Sequence, residues 1–148
     1  MTIVPARRLL LAALSALLSV ALLRPLIADA LCIRGDEFLR SGEPMTAQHY
    51  YRLALWSDPA CETAAERFVF AALEIHSRRS LEAGIEVADA YLLRREDTTI
   101  RIDRALALWS VRNYPRAAEE LRLVGRFTRD RRFVRLAQIA SRRAWPRR

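Results

Sequence analysis

The spacing of apolar positions is helical along the whole chain beyond residue 28, because apolar residues recur every three or four positions. This pattern predicts seven helices, near 28–41, 44–57, 60–76, 79–95, 98–111, 114–128 and 130–144. Turn-forming and helix-stopping residues stand between them, at Gly42, Asp58, Pro59, Ser77, Asp97 and Asn113. Since the joints hold only two or three residues, we expect successive helices to pack as antiparallel neighbours.

Residues 1–30 follow a different pattern, typical of an export signal. Arg7 and Arg8 precede an uncharged apolar run over 9–23, and a small-x-small triplet ends at Ala30. The run would make about 22 Å of helix, against about 30 Å for a bilayer core, so an anchor must continue past Pro25. Two interpretations stay open. Residues 1–30 are a signal peptide cleaved after Ala30, which gives a soluble periplasmic protein, or an uncleaved inner-membrane anchor with the remaining chain in the periplasm.

The first predicted helix pair carries small, aromatic and apolar residues at fixed spacing. They are Leu31, Gly35, Phe38, Ala47, Tyr51, Ala54 and Pro59. Gly35 and Ala47 allow two helix backbones to approach closely, the aromatic rings fill the space beside them, and Pro59 ends the second helix because it lacks an N–H. The segment 28–61 therefore resembles a tetratricopeptide repeat, which is a helix pair of fixed length. Arg34 departs from this resemblance, because the family prefers Leu there.

The same resemblance is weaker in the next two units. Residues 98–131 match it at Ala105, Leu108, Ala117, Leu121 and Val124, whereas Arg101 and Arg104 stand at apolar positions and Arg129 replaces the proline. Residues 62–97 form a slightly longer unit, whose first helix matches at Ala65, Phe68 and Ala72. Its second helix matches at Ala83, Val87 and Ala90 if two residues are inserted near "HSRRS", residues 76–80.

A last amphipathic helix is expected to cover the exposed apolar end of these units. It spans 130–144, with an apolar stripe of Phe133, Leu136, Ala137 and Ala140. The predicted fold is therefore all-α, an α-solenoid of about three tetratricopeptide-like helix pairs with a C-terminal capping helix, preceded by an N-terminal signal or anchor helix. In this division, residues 1–30 are the signal peptide or anchor, 31–144 the repeat domain and 145–148 a basic tail.

The sequence contains no pattern that predicts catalysis. It has no Gly-rich phosphate loop, no Gly-x-Ser-x-Gly turn and no His-Glu-x-x-His motif. Its two histidines, His49 and His76, do not stand near cysteines or acids at the spacing of metal ligands, so we interpret them as polar residues of helix surfaces. We expect a protein that is not an enzyme, with no catalytic residue, cofactor or metal.

Two cysteines lie near the ends of the first unit. In the repeat frame Cys32 opens the first helix and Cys61 follows the second, so an antiparallel pair brings them to the same end. In an oxidising compartment a disulfide between them would stabilise the fold by roughly 3–4 kcal/mol in the chain-entropy model. The alternative is a pair of unbonded thiols in a helical core, and sequence alone does not choose between the two.

The resemblance also implies a groove that binds a protein partner, lined by the first helix of each unit. Carried over to this chain, the central groove residues are Leu39, Arg40, Phe70, Glu74, Leu106 and Trp109. An apolar centre with charged flanks suits a peptide or helix. For Trp109 the alternative is packing against the last helix.

Positive charge is concentrated in the last third of the chain. The net charge is +8, all 25 basic residues are arginines, and 14 of them follow residue 97. A patch is predicted at Arg122, Arg126, Arg129, Arg132 and Arg135. It would suit anionic lipid head groups or an acidic protein surface, although an Arg-rich composition also produces solvated arginine faces of no specific function. Export separates the chain from nucleic acid, which we exclude as a partner.

These expectations combine into one functional hypothesis and one alternative. The hypothesis is a non-catalytic protein-interaction scaffold or accessory subunit that docks on an envelope or membrane protein complex. The alternative is a soluble periplasmic protein that binds peptides or cell-wall fragments after its signal is cleaved. The two differ in whether residues 1–30 persist in the mature protein.

Overall fold

The computed structural model describes the backbone of residues 4–144; within 4–20 it describes the side chains of Leu11, Leu14, Ser15 and Ser19 alone. Over this range the chain is all-α, as predicted, with seven helices and no strand. The helices are α1 (Val4–Arg40), α2 (Pro44–Ser57), α3 (Glu62–Ile75), α4 (Arg78–Leu92), α5 (Thr98–Ser110), α6 (Tyr114–Thr128) and α7 (Arg131–Ala144). Six of the seven predicted helices begin and end within three residues of these bounds.

Each helix packs against the next one in the chain, and α3 also contacts α1 and α5. Helix α3 touches both α1 and α5, so these three helices form one layer, while α2, α4 and α6 lie on its other side. The connections hold two to five residues. This arrangement is solenoid-like, because each pair buries its apolar surface against its neighbours in the chain.

The turns inside the three helix pairs share one backbone feature. Gly42, His76 and Arg112 all adopt the left-handed conformation, with φ of 80°, 55° and 63°. Each of the three follows the first helix of its pair, so each occupies the same place in its unit. The amide of Glu43, which follows Gly42, donates to the carbonyl of Phe38 five positions earlier. In the same way the amide of Asn113, which follows Arg112, donates to the carbonyl of Leu108. Such a turn closes the end of a helix and reverses the chain.

The predicted register is wrong for the second helix of the second unit. The buried residues of α4 include Leu81, Ile85 and Ala88, which repeat the spacing of Ala47, Tyr51 and Ala54 on α2 without an insertion. Of the predicted positions, Ala83 and Val87 are half-buried and Ala90 is exposed.

The two additional residues of this unit belong to the connection 93–97, between α4 and α5. The turn residue His76 stands as far before Leu81 as Gly42 stands before Ala47. The first turn and the start of α4 therefore keep the register of the first unit, and the extra length follows α4.

Close packing holds the first unit together. A Cβ added to Gly35 would lie 2.5 Å from Cε1 of Tyr51, so only glycine admits this ring. Tyr51 is buried, and its hydroxyl donates to Oδ1 of Asp36 at 2.7 Å. Burial and this hydrogen bond raise the pKa of Tyr51. Ala47 and Ala54 are also fully buried, so the small residues of the predicted set do occupy helix–helix contacts.

In the third unit, paired charged side chains occupy part of the interior that is apolar in the repeat pattern. Glu120 is only 6% exposed and accepts hydrogen bonds from Arg101, at 3.0 Å, and from Arg104. Arg104 also reaches Asp89 on α4 at 2.6 Å, and Arg101 reaches Glu96 at 2.7 Å. The two arginines that stand at apolar positions of the repeat pattern are therefore paired inside the domain.

Helix α7 covers the end of the third pair by packing on α6. Ala137 and Ala140 are buried, and Gly125 of α6 lies so close that an added Cβ would come within 2.9 Å of Val134. Leu136 was expected to be buried as part of the apolar stripe, but it is exposed. The short side chains of the two alanines allow α7 to contact α6 along a narrow face, and Leu136 lies outside it.

The N-terminal segment continues the first helix. Ala28 is buried in the first core cluster, and the Ser57 hydroxyl donates to the Arg24 carbonyl at 3.1 Å. The structure does not describe the side chains of Arg7, Arg8 and most of the apolar run 9–23, nor the tail 145–148. Among those that are described, no helix combines the length and the apolar content needed to cross a bilayer.

Candidate functional site

The residues expected to line a groove lie on the layer formed by α1, α3 and α5. Phe70 on α3 and Leu106 on α5 are 40% and 46% exposed, and they hold equivalent places in successive units. The helices that carry them, α3 and α5, contact each other. Glu74 and Arg40 are exposed or partly exposed on the same layer, and Leu39 is half-buried against the first core cluster.

Trp109 is turned toward the end of the domain. Its ring packs edge-to-face on Tyr114 of α6, with centroids 5.7 Å apart, and the Arg143 guanidinium of α7 lies 5.0 Å from its centre. The ring is half-buried and also contacts the core clusters of the third unit. This geometry corresponds to the alternative expectation for Trp109, packing against the last helix.

Two acids lie beside the exposed apolar pair, one helical turn before each member. Glu66 precedes Phe70 on α3, and Asp103 precedes Leu106 on α5. Burial, together with the charges of Glu66 and Asp97, raises the pKa of Asp103 to about 6. Asp103 was not among the predicted groove residues, although its spacing of three before Leu106 places it on the same helix face. The surface is therefore apolar at Phe70 and Leu106 and acidic along one side.

The predicted basic patch is divided between two helices and a turn. Arg122 and Arg126 lie on α6, Arg132 and Arg135 on α7, and Arg129 is the left-handed residue that ends α6. All five are exposed, and Arg122 donates to the Ser141 hydroxyl at 2.6 Å. Within residues 21–144 none of them comes within 4.0 Å of a carboxylate. The patch is thus a region of unneutralised positive charge at one end of the molecule.

The two cysteines lie together, as expected from the ends of the first pair. Cys32 is buried and Cys61 half-buried, and both carry free thiols. Burial, followed by the neighbouring Cys61, raises the pKa of Cys32 to about 12. A thiol with this pKa is protonated at neutral pH and is a poor nucleophile. The disulfide stays a prediction.

Both histidines lie on the surface of the domain. His49 is exposed on α2, where its ring lies edge-on to Tyr50, and His76 is exposed in the turn before α4. No group of three or more His, Cys, Asp or Glu side chains in the described part of the chain has the geometry of a metal site.

A cavity that the sequence did not indicate opens on the other layer. It has a volume of about 300 Å³ and lies between α2, the end of α3 and the start of α4. Its polar lining is formed by Gln48, His49, Arg52, Ser77, Arg79 and Ser80, and the rest is apolar. These six residues come from α2 and from the start of α4, and no motif connects them.

Comparison of the chain with protein-family models, curated proteins and solved structures finds no match. The likeness to tetratricopeptide repeats therefore rests on the residues of the first unit.

Proposed function

We propose that this chain is a non-catalytic docking subunit, in which α1, α3 and α5 of three tetratricopeptide-like pairs bind a segment of a partner protein. The observation that carries this proposal is the exposure of Phe70 and Leu106 at equivalent places on two contacting helices. A partner that covers such a pair stabilises the complex by about 25 cal/mol for each Å² of apolar area removed from water. Isolated exposed apolar residues are ordinary, whereas two at equivalent places on contacting helices can anchor one partner segment.

The chemistry of the partner follows from the acids beside this pair. Glu66 and Asp103 give one flank of the surface a negative charge at neutral pH, which favours a partner segment with apolar anchors followed by arginine or lysine. The pKa of Asp103, about 6, lies above the usual range because burial and two neighbouring acids disfavour its charged form. A cation supplied by the partner would lower that pKa and hold the carboxylate charged.

The proposed location is the far side of the inner membrane, on an envelope or membrane complex. Burial of Ala28 in the first core cluster supports the retention of residues 1–30, since cleavage after Ala30 would remove this contact and the Ser57–Arg24 hydrogen bond. A soluble periplasmic peptide binder, with residues 1–30 removed, is the alternative; it would lack both.

The test is affinity purification of the full-length chain from detergent-solubilised membranes of its own cells. The double variant Phe70→Ser with Leu106→Ser removes the apolar pair, whereas Trp56→Ser removes an apolar side chain that is 86% exposed on α2, outside the layer. We expect wild type and Trp56→Ser to recover the same partner and the double variant to lose it. Recovery of no partner by wild type, or retention of the partner by the double variant, would overturn the proposal.

A further inference from the structure

The cavity between α2 and α4 contains a buried polar group with an unused hydrogen-bond donor. Gln48 is only 8% exposed, and its Oε1 accepts from the Ser80 hydroxyl at 2.8 Å. Among the residues that the structure describes, its Nε2 has no hydrogen-bond partner. A buried amide left half-satisfied costs stability, so such groups are rare unless a ligand or water completes them. In this orientation Nε2 is free to donate to an acceptor that enters the cavity.

Two arginines line the same cavity without a carboxylate partner. Arg52 is held with its guanidinium 5.5 Å from the centre of the buried Phe68 ring, and Arg79 lies in the first turn of α4. Among the side chains described, no carboxylate comes within 4.0 Å of either guanidinium. No Asp or Glu is among the residues that line the cavity. Its electrostatic character is therefore positive.

The start of α4 adds to this positive character. Backbone N–H groups at a helix N-terminus carry partial positive charge, so natural helices favour acids there. Helix α4 has no acid in its first turn and instead begins with Arg78 and Arg79. Arg78 is neutralised by Glu82 at 2.8 Å, but Arg79 adds its charge to the positive end of the helix. An anion bound beside Arg79 would remove this repulsion.

The remaining wall of the cavity is partly apolar. Met45, Ile75 and Ala83 line it, together with the polar residues His49 and Ser77. The volume of about 300 Å³ is at the lower end of the range for small-molecule sites, about 300–1,000 Å³. We propose that this cavity binds a small organic carboxylate of amino-acid size. Arg52 and Arg79 hold its carboxylate, Gln48 Nε2 donates to one of its oxygens, and its apolar side group lies on Met45 and Ile75.

This site is separate from the docking surface, because it lies between α2 and α4 and not on the layer of α1, α3 and α5. Planar guanidinium groups suit carboxylate and phosphate alike. The apolar wall favours the carboxylate, since inorganic phosphate has no group to place there. Phosphate is therefore the competing ligand in the test.

The experiment is isothermal titration of the full-length protein with three probes, namely N-acetylleucine, N-acetylleucinamide and inorganic phosphate. We expect saturable binding of N-acetylleucine at or below about 1 mM, and at least about tenfold weaker binding of the amide and of phosphate. Equal binding of the amide, no saturation by N-acetylleucine up to about 10 mM, or binding of phosphate alone would overturn the proposal.

Matched variants locate the site. Arg52→Gln and Arg79→Gln should each weaken binding about tenfold, whereas Arg126→Gln, which removes one exposed and unpaired arginine elsewhere, should leave binding unchanged. Gln48→Glu keeps an acceptor for Ser80 but replaces the donor with a negative oxygen, so it should abolish binding. Circular dichroism identifies any variant that fails to fold, and the two arginine variants lie on the surface. Equal losses in Arg126→Gln would contradict the proposal.

Discussion

The first and third helix pairs use the same frame with different interiors. Ala47 of the first pair corresponds to Ala117 of the third, and both are fully buried. In the first pair Gly35 admits the ring of Tyr51, and Tyr50 stacks on Phe38 at 5.2 Å. In the third pair the place of Tyr50 is taken by Glu120, which binds two arginines whose side chains are 11% and 12% exposed.

The difference shows which positions define the helix pair and which do not. Small residues at the helix crossing and a left-handed residue in the turn recur in both pairs, at Ala47 and Gly42 and at Ala117 and Arg112. The remaining interior is filled by stacked rings in one pair and by an ion network in the other. The network carries a desolvation cost that rings do not have, so it stabilises only while every charge has its partner.

The largest effect is expected from Glu120→Ala. This change leaves Arg101 and Arg104 buried without their shared carboxylate, and removal of one member of a buried pair costs about 3–5 kcal/mol. Since both arginines keep a second acid, Glu96 and Asp89, we expect the lower end of this range. Urea unfolding measures this loss against that of Tyr50→Ala, the corresponding change in the first pair, which should cost less. Equal losses would mean that the ionic interior behaves like the stacked one.

Gly35→Ala should destabilise the first pair, because its Cβ would lie 2.5 Å from the Tyr51 ring. Overpacking of this kind costs about 1–3 kcal/mol, which outweighs the gain of roughly 1 kcal/mol when alanine replaces a helical glycine. The third pair already has Ala105 at the same place, beside a leucine in place of the tyrosine. Combining Gly35→Ala with Tyr51→Leu should therefore recover part of the loss. Thermal unfolding compares the single and the double variant, and no recovery would contradict the correspondence.

The third pair should also carry a pH dependence at Asp103, whose place in the first pair is held by the exposed, uncharged Ile33. The pKa of Asp103 is about 6 in the folded state, raised by burial and by Glu66 and Asp97 from its usual 3.8. Between these two values the folded protein binds more protons than the unfolded one, so stability falls as pH rises from about 4 to about 6. Unfolding at pH 5 and pH 7 should show a smaller difference in Asp103→Asn than in wild type. Identical profiles would contradict the shift.

The smallest effect concerns the turns. Arg112 adopts φ of 63°, where a side chain costs about 1 kcal/mol, so Arg112→Gly should raise the free energy of unfolding by about 0.5–1 kcal/mol. Gly42→Ala should lower it by a similar amount, because nothing lies within 4 Å of its added Cβ and only the backbone is affected. Urea midpoints of the two variants should shift in opposite directions. Shifts in the same direction would show that the two turns are not equivalent.

Much of this fold follows from local signals that the sequence displays. Helix ends were predicted to within a few residues because Gly42, Pro59 and Asn113 mark them, and the buried faces of the first and third pairs follow from alanine spacing. The register of α4 was not predictable, since this helix presents two stripes of small and apolar residues. The turn before α4 decides between the two stripes, and its left-handed residue is His76 and not a glycine, which would have indicated the turn in the sequence.

The candidate sites were predicted less completely than the fold. Exposure of Phe70 and Leu106 agrees with the groove positions that the repeat resemblance implied, and yet binding of a partner there stays a prediction. The cavity was invisible in the sequence, because Gln48, Arg52 and Arg79 are ordinary residues of two amphipathic helices. Only the packing of the second helix pair against the first brings them to one place.

Helix α1 has a mechanical consequence for the molecule. From residue 21 to Arg40 it runs on without a break, through Pro25, and at about 1.5 Å per residue this part is about 30 Å long. Its last three turns are also the first wall of the repeat domain. A force or rotation applied near residue 21 would therefore be transmitted to the domain through the continuous helix. An attachment at the N-terminal end of α1 would also set the direction in which Phe70 and Leu106 face.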